Sequence, residues 1–426
     1  MRLIALIVLS VIGGFVALAM LLDLFPDRRV TMAAGGEGSA YYAVAQRYQV
    51  LLAEDGVTLD ILQTAGSVDN LARLDTGEAQ VALVQGGIPA PEDAPVTALA
   101  SVFLEPLLVF HRGALEGADD PARWDELRVA GGGEGSGTRY AVDTVLQTLD
   151  LDNVAALVPL GGAAAARALI EDEIDVAIFV APVGASYLAP LYAEPGIALA
   201  SIRDVEALRR RLPFVMEADL PPASLNYADI KPATRIDLAA MVAQLAARDD
   251  LHPALVDRFV KAARVIHAER DLLTGEGQFP STEAATLPLN KQARTILSTA
   301  PSRLDRYIPW WMAAQVTKMA LLLVPLVLVT LPLLRLLPGI YGWTMRSRVY
   351  KHYSDLIEIE KQAMVASDAV AIRDLDARLD DVQESLTHMR LPEAFRDRAY
   401  TMQMHIDLIR ARIQARRDNQ DRKDTA

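Results

Sequence analysis

The chain has 426 residues, 52% of them hydrophobic and 23% charged, with no cysteine and a formal net charge of −13. That length suggests two or three domains, and the apolar content excludes low-complexity disorder. The missing cysteine excludes disulfide staples, thiolate–zinc centres, a Cys nucleophile and an N-terminal diacylglyceryl anchor.

Mean hydropathy is +0.19, high for this much charge, so the apolar residues must be concentrated somewhere. Leu3–Leu22 is a run of 20 residues without a charge, and about 20 apolar residues suffice to span a bilayer. Residues 1–25 are therefore expected to be an anchor. Ala17-Leu-Ala19 fits a signal-peptide cleavage site, but the apolar run continues through Met20–Leu22 and Leu24-Phe25 and favours retention.

From about residue 29 to 200, short β-branched runs alternate with helical patterns. The expected strands are Arg29–Ala33, Thr58–Gln63, Val81–Val84, Leu107–His111, Arg128–Ala130, Ala156–Pro159 and Asp175–Val180. The alternation predicts an α/β fold with largely parallel sheets. Ligands in such sheets sit beyond the carboxyl ends of the strands, where helix N-termini offer free N–H groups.

Four junctions have that character: Ala34–Tyr42, Thr64–Asn70, Val84–Gly87 and Gly131–Thr138. Ser39, Ser67 and Ser136 or Thr138 each fall near a helix start. A hydroxyl there caps the helix or shares donors with an anion. For one junction capping is the simpler reading; four in one α/β chain point to a site.

The segments Gly35–Tyr42, Thr64–Leu74, Gly77–Gln85, Glu105–Phe110, Arg128–Ala130, Glu134–Thr138 and Glu173–Phe179 together resemble a TAXI-family solute receptor of TRAP transporters, in the family's order and spacing over residues 30–200. The resemblance implies a two-lobed periplasmic-binding-protein fold (type II-like) closing on a small solute, with carboxylates or amino acids expected. It implies ligand-facing positions at Gly38, Ser39, Tyr42, Gly66, Ser67, Gln85, Ser136, Gly137 and Thr138. Ala40 and Gly86-Gly87 depart from the family's usual residues. Separately encoded TRAP permease subunits are the implied partners.

Residues 30–110 are expected to form most of one lobe and 127–200 most of the other. The chain would then return through helices at Thr234–Ala247 and Pro253–Arg270. In the first of these, Leu238, Met241, Val242, Leu245 and Ala246 step at helical spacing. Leu272–Thr286, with Gly275, Gly277 and Pro280, reads as a loop.

Residues 26–306 thus form the expected solute-binding domain, and 307–343 a second span. Its uncharged stretch is Met319–Leu334, flanked by Tyr307–Trp311 and Tyr341–Trp343 like an aromatic belt. Pro325 and Pro332 are tolerable in a membrane helix. Arg346, Arg348 and Lys351 behind the span, and Arg2 before the first, place both ends in the cytoplasm and the middle outside. The expected location is a bacterial inner membrane, with the central domain periplasmic. Arg346–Tyr350 also resembles the ending of a membrane-anchored TAXI-like subgroup.

Residues 344–426 carry 15 basic and 15 acidic side chains, so the whole −13 lies before them. Neither part has the clustered basic excess that nucleic acid requires. In the tail, Ile372, Leu375, Leu379, Val382, Leu386 and Met389 form one stepped seam, and Ala399, Met402, Ile406, Ile409 and Ile413 another. With Pro392 between them, an α-helical hairpin or coiled coil is expected, pairing with itself or with a partner helix.

No GxSxG, HExxH or Gly-Lys-Ser/Thr loop is present, and the six histidines are scattered. No enzyme, cofactor or metal site is expected. The expected function is a membrane-anchored receptor for TRAP-type uptake. The alternative is a tethered ligand sensor, or an envelope interaction scaffold using the same fold.

Overall fold

In a computed structural model, the structure describes residues 23–424 apart from 114, 152–156, 300–306, 367–368 and 388–395, with six isolated positions before residue 23. The expected first span, and Met389 and Pro392 in the tail, lie outside the described residues. The chain divides into two compact units, residues 18–319 and residues 1–17 with 320–426.

The elements of the larger unit run β1 (Arg29–Ala33), α1 (Ala40–Glu54), β2 (Thr58–Leu62), α2 (Ser67–Thr76), β3 (Val81–Gln85) and the long β4 (Val96–Arg112). After a 3-10 turn at Pro121–Glu126 come β5 (Val129–Ala130), α3 (Gly137–Thr148), α4 (Gly162–Ile170) and β6 (Val176–Val180). A second 3-10 turn, Ser186–Leu188, leads to α5 (Ala189–Ala193), β7 (Ile197–Ala200), α6 (Val205–Arg211), β8 (Met216–Leu220) and the long β9 (Ile236–Arg248). The unit closes with α7 (Pro253–Ile266), α8 (Lys291–Ser298) and the short turn α9 (Trp310–Ala313).

The sheet order is β2-β1-β3-β9-β4-β6-β5, with β7 added to β4 and β8 to β9. β1 pairs in parallel with β2 and β3, and β5 pairs in parallel with β6. β4 and β9 are antiparallel from Val96↔Arg248 to Pro106↔Ala240. Beyond that point β4 pairs with β6 through Leu107↔Val180. The two long strands therefore pass from one lobe, built on β1–β3, into another built on β5 and β6.

Residues 234–247 were expected as a helix, and that expectation is corrected: β9 occupies 236–248. The helical stripe was real in the sequence, but Ala239, Ala240 and Ala243 between its members are apolar too. A continuous apolar run suits a strand buried on both faces, which periodicity does not separate from a core helix. Packing follows a period of two: Ala243, Leu245 and Ala247 enter the core beneath α1 and α7, and Ala246 enters the opposite core with Leu71 and Leu74. The expected strand at Leu107–His111 is likewise only the end of β4. The expected strand near Ala156–Pro159 is reduced to a parallel bridge between Val158 and Ala130.

Gln244 is the polar exception in β9 and is fully buried. Its Oε1 accepts from the N–H groups of Thr286 at 2.9 Å and Leu287 at 3.1 Å, and its Nε2 donates to Thr286 Oγ1 at 2.8 Å. It thereby fastens the irregular segment that precedes α8 to the sheet.

The smaller unit contains most of α10 (Val316–Val365), with α11 (Ala369–Thr387) and α12 (Arg396–Asp424). Ile372, Leu375, Leu379, Val382 and Leu386 of α11 share one buried cluster with Met402, Ile406, Ile409 and Ile413 of α12. Leu356 and Ile359 of α10 join it, so three helices contribute rather than two. Among the described residues, no helix is long and apolar enough to cross a membrane. The leucine-rich stretch Met319–Leu334 lies within α10, where Val324, Leu328, Val329 and Leu331 are exposed.

Replacing Gln244 with Ala strands the buried N–H of Leu287 and the part-buried N–H of Thr286. Leaving buried donors unmet costs about 1–3 kcal/mol, a loss that urea unfolding of the Q244A chain reads directly.

Candidate functional site

Both lobes present the carboxyl ends of parallel strands to a single cavity of about 450 Å³. After β1, the loop to α1 is held by Gly35 N–H donating to Thr64 Oγ1 at 2.9 Å. Ser39 then caps α1, its Oγ accepting from Tyr42 N–H at 3.1 Å. After β2, α2 starts at Gly66, whose φ of 135° only glycine adopts readily. After β5, Ser136 caps α3 by accepting from Arg139 N–H at 3.1 Å, and it donates to Gly133 O at 2.6 Å. Beyond Val158, α4 starts at Gly161 with no side-chain cap at all.

Eight of the nine expected positions line this cavity: Gly38, Ser39, Gly66, Ser67, Gln85, Ser136, Gly137 and Thr138. Tyr42 does not; its neighbour Tyr41 does. The correction is geometric, since successive helical residues differ in direction by about 100°. With Ser39 as cap, Tyr41 is the one turned inward, and it is buried.

The hydroxyls are already engaged. Ser67 is 3% exposed; its Oγ accepts from Gln85 N–H at 3.1 Å and donates to the Tyr41 hydroxyl at 3.5 Å. Tyr41 in turn donates to Glu105 Oε2 at 2.6 Å. Thr138 Oγ1 accepts from Val180 N–H at 3.1 Å. What the site offers a ligand is therefore mainly main-chain N–H groups, from the starts of four helices.

The lobes touch beside the cavity. Val68 N–H donates to Gly135 O at 3.2 Å. A Cβ on Gly66 would lie 2.9 Å from Ser136 Cα, and one on Gly137 would lie 2.4 Å from Gln85 Oε1. Gly66 permits the two backbones to approach this closely, and Gly137 leaves room for the Gln85 side chain.

Glu105, Tyr187 and the turn Gly161–Ala164 also line the cavity and were missed in the sequence. Glu105 had appeared there only as part of a strand-like motif. Among the described lining residues none is Lys, Arg or His, and the acids are Glu37, which is exposed, and Glu105, which is buried. Burial pushes the Glu105 carboxyl up to about 8, partly opposed by the Tyr41 hydrogen bond. Burial, and then the proximity of Glu105, also raise the Tyr41 and Tyr187 hydroxyls. Among the described residues no group of three or more acids or histidines is placed to hold a metal.

Electrostatically, each helix start carries about half a positive charge. Four such starts around one cleft, without a basic side chain among its described lining residues, make a site suited to a small anion. Gly66→Ala would combine an unfavourable φ with a backbone clash, at a cost of about 1–3 kcal/mol for the strain alone. The expected result is a lower urea midpoint, with loss of the contact that brings Gly66 against Ser136.

An NMT1-like family model matches residues 32–94. No curated protein matches the chain. Among solved structures, one from Bordetella bronchiseptica RB50 is 18% identical, with a TM-score of 0.38 over 56% of this chain and 71% of its own. An ancestral arginine-binding protein bound to arginine is 10% identical, with a TM-score of 0.39 over 57% and 93%. A histidine kinase sensor domain with similarity to periplasmic binding proteins is 16% identical, with a TM-score of 0.36 over 56% and 90%. The family match spans Ser39, Ser67 and Gln85 and includes none of the second lobe.

Proposed function

We propose that the chain is a membrane-anchored receptor that binds a small, carboxylate-bearing solute between its two lobes. The observation that carries this reading is the convergence of four helix N-termini on one cavity whose described lining residues include no basic side chain. Such a cavity offers an anion donors that need no reorganisation. The reading is one of binding rather than catalysis.

The TAXI-like motifs of the sequence extend it: the solute would be delivered to separately encoded TRAP permease subunits. Anchoring in a bacterial inner membrane, with residues 26–306 outside and the tail in the cytoplasm, is supported by the uncharged run Met319–Leu334 and its aromatic flanks. Exposed Val324, Leu328, Val329 and Leu331 on α10 would be costly in water and suit lipid. A second use is favoured by the three-helix packing of the smaller unit. A folded tail is more than a tether needs, and it suits a sensor that relays occupancy, or a scaffold that holds a partner.

Thermal unfolding of the full-length chain with acetate, succinate, 2-oxoglutarate and glutamate tests the binding reading. A bound ligand at 100 times its Kd stabilises by about 2.7 kcal/mol; a melting temperature unmoved by all four sinks it. Anchoring predicts that the expressed chain stays in the membrane pellet after an alkaline carbonate wash, and release into the supernatant removes that part of the proposal.

A further inference from the structure

Glu105 lines the cavity while exposing only 3% of its surface. Tyr41 of α1 donates to its Oε2, and Ser67, at the start of α2, donates to Tyr41. Tyr187 of the 3-10 turn lines the same space, as does Gln85 of β3. Met241 of β9 stands opposite Glu105 in register. His267, after α7, packs on Phe103 and Tyr48 and is absent from the lining. Glu37 is exposed. The titratable groups facing Glu105 are thus two phenols.

An anion held at the start of α2 would lie one Tyr41 hydroxyl away from this carboxyl. Two negative charges, one of them on the buried Glu105, with no cation in the described lining are not both tolerated, and one of them takes a proton. A ligand ammonium would also neutralise Glu105, but each helix start around the cavity is a positive pole and disfavours a cation. Resting on the reading of the cleft as an anion site, we infer that Glu105 determines specificity by binding the ligand as a neutral carboxyl, donating its proton to the Tyr41 oxygen so that the Tyr41 hydroxyl donates to the bound anion. Anion and proton are then held together, and carboxylates without a neighbouring ammonium are preferred. The raised ionisation of Glu105, to about 8, agrees with this. Below that pH the carboxyl is neutral and the cleft competent; above it the competent fraction falls with each pH unit.

The test is calorimetric titration of the full-length chain with acetate, succinate and 2-oxoglutarate, ionised throughout, at pH 7, 8 and 9 in buffers of different ionisation heat. Apparent affinity scales with the competent fraction, so about tenfold weaker binding is expected at pH 9 than at pH 7. Net proton uptake is expected at pH 8, and Glu105→Gln should abolish both signals. Equal affinity at pH 7 and 9, or proton release on binding, overturns the inference but leaves the anion site standing. Absence of binding at every pH overturns both. Infrared spectroscopy needs neither ligand nor a foldable variant: a protonated-carboxyl stretch at pH 7 that is lost at pH 9 is expected, and its absence at pH 7 overturns the inference.

Discussion

The antiparallel pairing of β4 with β9 is the constraint on which the rest of the larger unit depends. Among the described strands these two run through both lobes, and their apolar residues feed the cores on either side: Leu99, Val102 and Leu245 in one lobe, Leu107, Val109 and Met241 in the other. Burial on both faces leaves little room for polar groups, and the buried Gln244, Ser101 and Glu105 each have a specific partner. Gln244 and Ser101 hold the segment before α8, the latter by donating to Glu283 O at 2.6 Å. Glu105 has Tyr41 and the cavity.

Given that spine, the cavity follows from strand direction. Parallel strands in each lobe end facing the same space, and β1, β2 and β5 are each followed by a turn into a helix, whereas β3 runs on into β4. The positive potential there comes from aligned peptide groups and does not depend on basic side chains. Main-chain donors cost no side-chain entropy when a ligand is captured. The same field leaves a lone buried acid as the element most sensitive to what enters.

At the base of the first lobe, residues from both ends of the larger unit are fastened together. Gln315 Nε2 donates to Leu24 O at 2.9 Å, and the Phe25 and Trp311 rings lie 5.1 Å apart. Trp310 donates through its indole to Asp55 O at 2.9 Å, at the end of α1, with Arg258 over its ring. α1 therefore has the cavity at its first turn and Trp310 at its C-terminal cap.

The sequence by itself determined what rests on local chemistry. β1 was legible to the residue, because a β-branched run ended by glycines leaves few alternatives. The caps at Ser39 and Ser136 were legible because a short hydroxyl before a helix satisfies its own donors. The apolar steps of α11 and α12 were legible because each lies within one helix. The tertiary structure decided the rest. Whether 236–248 became strand or helix depended on β3 and β4 waiting on either side, since its small apolar residues fit both. Which of Tyr41 and Tyr42 faced the cavity depended on how α1 lay on the sheet. Glu105 acquired its character from burial and from a tyrosine 64 positions earlier, a neighbour that only folding brings within reach.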